Sequence, residues 1–513
     1  MRKTVVLLLL TGMLSACGPL WGMNGPTQTS TPTQPVFWTA DPPTPIPTWT
    51  PEPTFTPTAT PFPLTPTPTP ISATQRAPLL YYAQVGDSLP VVAAHFGVEA
   101  SEITSSETLP QTGLLTPDTP LIIPNRLGET TPNVQIMPDS EVVYSPSALD
   151  FDIETYVTEA GGYLGTTYRE YLVSTGWNNG AQAVQRIALD NSINPRLLLA
   201  LIEYESGWVT GQPSNLAQGD YPLGYVDYYY RGLFRQMMWA VQELSNGYYG
   251  WRGGTLTELT FPDGTTIRLS PELNAGTVAI QYFFSKTRNF MEWAQAIDPN
   301  VGFPALYAKM FGDPWGRAQT VEPLFPPGLT QPTLTLPFGI GQLWSFSGGP
   351  HPAWELQGAM AALDFAPGSD VSGCVPSDRW IVASAPGLVV RSTSGVVVLD
   401  LDGDGHEQTG WDLLYLHVAM KDRIPPGVWL DAGDLIGHPS CEGGIATGTH
   451  LHFARKYNGE WVLADGPLPF TLSGWVAHAG AKPYDGTLTK GDKTVVAKPD
   501  GSAETQILRT AGE

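Results

Sequence analysis

The sequence predicts a multidomain α+β chain: a small βααβ module, a mainly α-helical domain and a β-dominated domain. Three observations carry this expectation. The chain has 513 residues, more than one hydrophobic core organises, and such a length divides into about three domains. Helix signals and aromatic residues fill residues 150–314. Beyond Gly328 the pattern changes to short β-branched runs such as Val396-Val397-Val398-Leu399, separated by Gly, Pro and Asp turns, which is the mark of strands. The boundaries drawn from these shifts are 1–17, 18–78, 79–125, 126–149, 150–327, 328–486 and 487–513.

The first 17 residues read as an export signal. Arg2 and Lys3 make a short positive region, Val5 to Leu10 an apolar run too short to span a bilayer, and Leu14-Ser15-Ala16-Cys17 a small-residue cleavage site. The ending resembles the lipobox of bacterial lipoproteins, and the resemblance implies that Cys17 is lipidated and holds an extracytoplasmic protein to the membrane. Residues 18–78 are dominated by Pro and Thr, as in Thr65-Pro66-Thr67-Pro68. They cannot bury a core and are expected as an extended tether, reaching roughly 150 Å at about 3.1 Å per residue.

Residues 79–125 begin with a strand and turn, Tyr81-Tyr82-Ala83-Gln84-Val85-Gly86-Asp87. A helix through Val92, Ala93 and Phe96 follows, then a second short helix, and Leu121-Ile122-Ile123-Pro124 closes as a strand. This order resembles the LysM module, a glycan-binding unit, although Ser105 and Ser106 stand where that family usually has asparagine. Residues 126–149 read as a second linker.

In the helical domain, residues 150–327, Asn194 can cap a helix that has Pro195 at its first position. Leu198, Ile202 and Glu205 then fall at i, i+4 and i+7, which puts Glu205 on the buried stripe, where a carboxyl can stay protonated. The Glu205-Ser206-Gly207 ending resembles the lysozyme-like superfamily, lytic transglycosylases in particular. The resemblance implies that Glu205 is a general acid for glycan cleavage, with Asp227 and Glu243 as candidate partners. Tyr228, Tyr229, Tyr230, Tyr248, Tyr249 and Trp251 are candidates for stacking on sugars. The alternative is a glycan-binding relic.

Four of the eight histidines fall in three clusters of the β domain: His351 after Gly348-Gly349-Pro350, His417 after Tyr415-Leu416, and His450-Leu451-His452. In a strand, His450 and His452 project to the same side, and Asp364 lies between apolar Leu363 and Phe365 that face the other way. These clusters resemble the lysostaphin/LytM-type zinc endopeptidases, in the branch of the β-lytic enzymes. The more compact pattern would have histidine where Met360 stands, and His351 fits the longer spacing instead. The resemblance implies Zn²⁺ held by His351, Asp364 and His452, with His417 and His450 catalytic. Two neutral imidazoles and one carboxylate suit that role, because they leave zinc a net positive charge and an open position.

Asp400, Asp402 and Asp404 alternate ahead of Gly405, as in a calcium loop, but Trp411 occupies the closing position of an EF-hand. The run therefore reads as an acidic hairpin tip, with Ca²⁺ as the alternative. Of the three cysteines, Cys17 is accounted for by lipidation, and Cys374 and Cys441 are expected to pair. Residues 487–513 are polar and lack periodicity, and are expected as a flexible tail. The net charge of −22 and pI of about 4.6 exclude nucleic acid as partner.

Together these readings describe a lipid-anchored cell-wall hydrolase. Its C-terminal domain cleaves peptides of peptidoglycan, and a glycan-cleaving activity in the helical domain is the further implication. Its rivals are a non-enzymatic LytM-type regulator of amidases and a peptidoglycan-binding scaffold.

Overall fold

A computed structural model describes residues 76–173, 175–368 and 373–512. The export signal, Cys17 and nearly all of the Pro/Thr tether lie outside the described residues. Among the described residues, no helix is long and apolar enough to cross a membrane.

The first element pair is the strand Leu79–Tyr82 against Pro120–Ile123, antiparallel, with the helix Leu89–Phe96 between them. The expected second helix is a single 3₁₀ turn, Ala100–Glu102. Tyr81, Val92, Phe96, Leu121 and Ile123 form a small core of their own. This module does not hang free. His95 stacks on Trp251 with ring centroids 3.6 Å apart, and Arg252 donates to the carbonyl of Val85 at 2.6 Å.

The helical region centres on Pro195–Ser206. Asn194 accepts from the Arg196 amide as the cap, Pro195 occupies the first turn, and Gly207 ends the helix at φ 66. Leu197 to Ile202 are all buried, so this helix is enclosed on every side rather than amphipathic. The helices Gly180–Asn191 and Phe303–Phe311 pack against it, and the 20-residue helix Leu233–Arg252 and the helix Ala275–Ser285 pack against each other in the same core.

Residues beyond 328 build a nine-stranded sheet. In spatial order its main path runs Trp429–Leu430, Gly387–Thr393, Val396–Asp400, Trp411–Leu416, Leu451–Tyr457, Met360–Pro367, Leu343–Pro352 and Gln506–Leu508. Both faces are covered, which explains the continuous apolar runs seen in the sequence. Val397, Leu399, Leu413, Tyr415 and Phe453 face one core, where the small sheet of residues 471–496 also packs. Val396, Val398, Leu414, Leu416 and Ala454 face the other, which they share with the helical region. A single body therefore joins segments that read as successive units in the sequence.

The seam is polar as well as apolar. Tyr248 donates to Glu460 at 2.8 Å, and the Trp461 amide donates to the Tyr249 hydroxyl at 3.0 Å. Gly459 lies so close to the Tyr144 carbonyl that a Cβ would stand 2.1 Å from that oxygen, at a φ of 77.

Three expectations are corrected here. Residues 126–149 are not a linker, because Met137, Val142, Val143 and Ala148 are buried in the core of the helical region. Residues 487–513 are not a frayed tail: Gln506–Leu508 pairs with Leu343–Ser345 at the sheet edge, with Ile507 buried. Arg509 secures that edge by donating to the carbonyls of Leu336 and Phe338. A three-residue strand with one buried isoleucine has too short a period to be read from sequence. Tyr248, Tyr249 and Trp251 are core residues and are not available to stack on sugars. Tyr228 and Tyr229 are exposed.

Candidate metal centre

Three neighbouring strands bring the predicted ligands together. His452 lies directly opposite Asp364 in antiparallel register, and Leu416 lies opposite His452. His351 arrives from the next strand, where the register slips between Gly348 and His351 and again before Pro352. Such bulges re-aim a side chain beside a functional site, and they bring His351 to Asp364 without any histidine at Met360. The Gly348-Gly349 pair has a packing cause: a Cβ on Gly348 would stand 2.6 Å from Asp364 Oδ2, and one on Gly349 2.5 Å from the Asp485 carbonyl.

The hydrogen bonds of the imidazoles assign their protons. A carbonyl only accepts, so His351 Nδ1 must donate to Gly349 O at 2.8 Å, and His452 Nε2 to Ala353 O at 2.9 Å. The other ring nitrogens are left bare and face one another, with His351 Nε2 and His452 Nδ1 2.9 Å apart. Asp364 Oδ1 stands 3.2 Å from the first and 3.4 Å from the second, buried and without a hydrogen-bond partner. Three converging lone pairs repel one another unless a cation lies among them. Tetrahedral zinc at its usual bond lengths would separate its ligands by about 3.3 Å, so this donor set fits the ion. Burial pushes His452 down. Carbonyl contacts of this kind orient metal-binding histidines.

His417 and His450 complete the group. His417 follows the strand Trp411–Leu416 at φ 67, a backbone state that non-glycine residues enter at a cost and that concentrates at functional sites. Its Nδ1 donates to Glu442 O at 2.9 Å, and His450 Nδ1 donates to Gly448 O at 2.8 Å. The two rings are 4.5 Å apart, and His450 Nε2 is 3.7 Å from Asp364 Oδ1. Burial, reinforced by His450 and His452, pushes His417 down to about 3. His417 is therefore neutral at neutral pH, and its Nδ1 donation leaves the lone pair on Nε2.

All five groups line an open cleft of about 1320 Å³. One wall is fastened by the Cys374–Cys441 disulfide, Cα–Cα 5.7 Å, beside which the Thr449 amide donates to Gly373 O. Tyr484, which the sequence reading missed, stacks on His351 with centroids 4.1 Å apart and lines the cleft. It stands outside every histidine cluster, in a short loop with no periodicity, so nothing local marks it.

The remaining predicted residues lie elsewhere. Glu205 closes its helix as expected, with burial raising its carboxyl. Arg288 opposes that shift through an ion pair at 2.6 Å. Asp227 caps the turn at Tyr229, and Glu243 is raised by burial against the pull of Lys286. Asp400, Asp402 and Asp404 form the hairpin turn ahead of Trp411–Leu416.

Residues 135–323 match the family model described as the N-terminal domain of LasA. Protease LasA of Pseudomonas aeruginosa is 25% identical over 374 residues, covering 68% of this chain and 79% of the relative. The β-lytic metalloendopeptidase of Achromobacter lyticus is 28% identical over 159 residues, 30% of this chain and 40% of that protein. Among solved structures, the M23 metalloprotease pseudoalterin has 24% identity and a TM-score of 0.27, covering 33% of this chain and 96% of that one. The chain is LasA-like, with homology to metallopeptidases of the lysostaphin, LytM and β-lytic (M23) kind.

Proposed function

We propose that the chain is a zinc metalloendopeptidase that cleaves peptide bonds of peptidoglycan. The observation that carries this reading is the convergence of bare nitrogens from His351 and His452 on the orphaned oxygen of Asp364, in an open cleft shared with His417 and His450. Zinc bound there would act as a Lewis acid toward the scissile carbonyl and toward water. Neutral His417 accepts the proton of the attacking water at Nε2 and returns it to the departing amine. His450, beside it, would stabilise the oxygen that gains charge once Nε2 is protonated, since its Nδ1 proton is held by Gly448 O. Cys374–Cys441 and the Tyr484 ring hold the walls of the cleft in register with these groups. The LasA and β-lytic relatives support the same reaction class.

The substrate follows from the same relatives and from the LysM-like module, which would add glycan affinity. The signal and Cys17 would keep the enzyme on the outer side of a membrane, within reach of the wall. A glycan-cleaving role for Glu205 rests on burial alone, since Arg288 favours its ionised form. Both activities separate in one digest of purified peptidoglycan by the full chain. New amino termini without new saccharide ends mark the peptidase. Saccharide ends that vanish in Glu205→Gln would add the second activity. No new amino termini from the chain alone, with termini released only after an amidase is added, would instead make the chain a regulator.

A further inference from the structure

The hairpin between Val396–Asp400 and Trp411–Leu416 places ligand oxygens of Asp400, Asp402 and Asp404 within 4.8 Å of one another. An acidic turn alone says little, and Trp411 stands where a closing carboxylate would belong. A further carboxyl, Asp412, is one residue further on. Asp412 lies directly opposite Asp400 in the antiparallel register, so both side chains leave the sheet on the same side with Cβ atoms about 5 Å apart. Asp412 is fully buried, and neither of its oxygens has a hydrogen-bond partner. A buried carboxylate in that condition is unstable without a compensating cation.

Among the described residues, no side chain hydrogen-bonds to Asp412, although the Lys456 charge acts on it. Lys456, the cross-strand neighbour of Asp412, gives its ammonium to the Glu407 carbonyl and carboxylate, both at 3.0 Å. Arg391 is taken by Asp190 and Glu407.

We propose that this hairpin is a calcium site, with Asp400, Asp402 and Asp404 at its mouth and the unpaired Asp412 beneath. An all-oxygen donor set selects a hard cation over zinc, and the open mouth leaves room for the waters and carbonyls that complete six to eight ligands. The site is separate from the metal centre but mechanically joined to it. Asp412 lies in the strand that ends immediately before His417, roughly 16 Å along it at about 3.3 Å per residue. The ion neutralises the buried carboxylate and pins the far end of the strand that presents His417.

The test uses the zinc-loaded full chain with terbium as the spectroscopic probe for calcium. Trp429 packs against Gly403, where a Cβ would stand 2.8 Å from the indole, and Trp411 adjoins Asp412, so indole excitation should sensitise terbium emission. Calcium should displace terbium with an affinity of about 10⁻⁴–10⁻³ M, the range of extracellular modules, while equal magnesium leaves the emission in place. Asp402→Asn, at an exposed position, and Asp412→Asn, which keeps shape, should each weaken calcium at least tenfold with zinc content unchanged. Absence of calcium-displaceable emission from the wild-type chain would overturn the site. Unchanged calcium affinity in Asp402→Asn would do the same. Unchanged affinity in Asp412→Asn alone would remove Asp412 and, with it, the argument.

Discussion

Arg252 is the residue whose loss should cost the structure most. Its guanidinium holds Asp139 at 2.8 Å, Glu460 at 3.0 Å and the Val85 carbonyl at 2.6 Å, which ties the first module, the helical region and the sheet at one point. In Arg252→Met, Asp139 keeps its bonds from Asn274 and the Gly276 amide, whereas Glu460 keeps only the Tyr248 hydroxyl. Breaking a buried pair from one side costs about 3–5 kcal/mol, and Glu460 should carry most of it. The double variant Arg252→Met/Glu460→Gln removes the orphaned charge and should recover about 2 kcal/mol, within the range of coupled neighbours. The dependence on pH has a definite sign. Burial already raises the Glu460 carboxyl while Arg252 lowers it, so the single variant raises it further. A group raised on folding contributes stability below its unfolded value of about 4.3 that is lost as pH climbs through the folded value. The single variant should therefore be less destabilised at acidic than at alkaline pH, and the double variant should not show that trend. Urea unfolding followed by tryptophan fluorescence measures all three chains. A single variant within about 1 kcal/mol of wild type, or no recovery in the double variant, would refute the reasoning.

Further outcomes follow from the cleft. His417→Ala should retain zinc yet lose about 10²-fold or more in turnover, the scale of a proton-transfer group, as measured by metal analysis alongside peptide cleavage. Gly348→Ala should displace Asp364, because its Cβ would stand 2.6 Å from Oδ2. Zinc affinity should then fall about 10–100-fold in a chelator competition. Cys374 and Cys441 are 67 residues apart, and opening that loop should cost about 4 kcal/mol by chain entropy, read as a lower unfolding midpoint under reducing conditions.

The convergence of His351, Asp364, His417, His450 and His452 was legible because its signals are local in sequence. His450 and His452 announce a shared side by their spacing of two, and Asp364 announces its direction by the apolar residues on either side. The capped helix ending at Glu205 was legible for the same reason, since Asn194 and Pro195 mark its start. What was hidden is what the other segments do to each element. Glu205 looked like an isolated buried acid because Arg288, its ion-pair partner, lies 83 positions away. Tyr248, Tyr249 and Trp251 looked like an exposed aromatic cluster because the Glu460–Trp461 hairpin and His95, which they meet, are far along the chain.

The account stands most directly on whether peptide cleavage follows metal at His351, Asp364 and His452. Zinc is titrated back into the chelator-stripped full chain while new amino termini are released from purified peptidoglycan, with His452→Ala in parallel. Release should rise with zinc to one equivalent and then level off, and the variant should neither retain the metal nor release termini, because two protein ligands rarely hold zinc. Release that is independent of zinc, or undiminished in His452→Ala, would contradict the account.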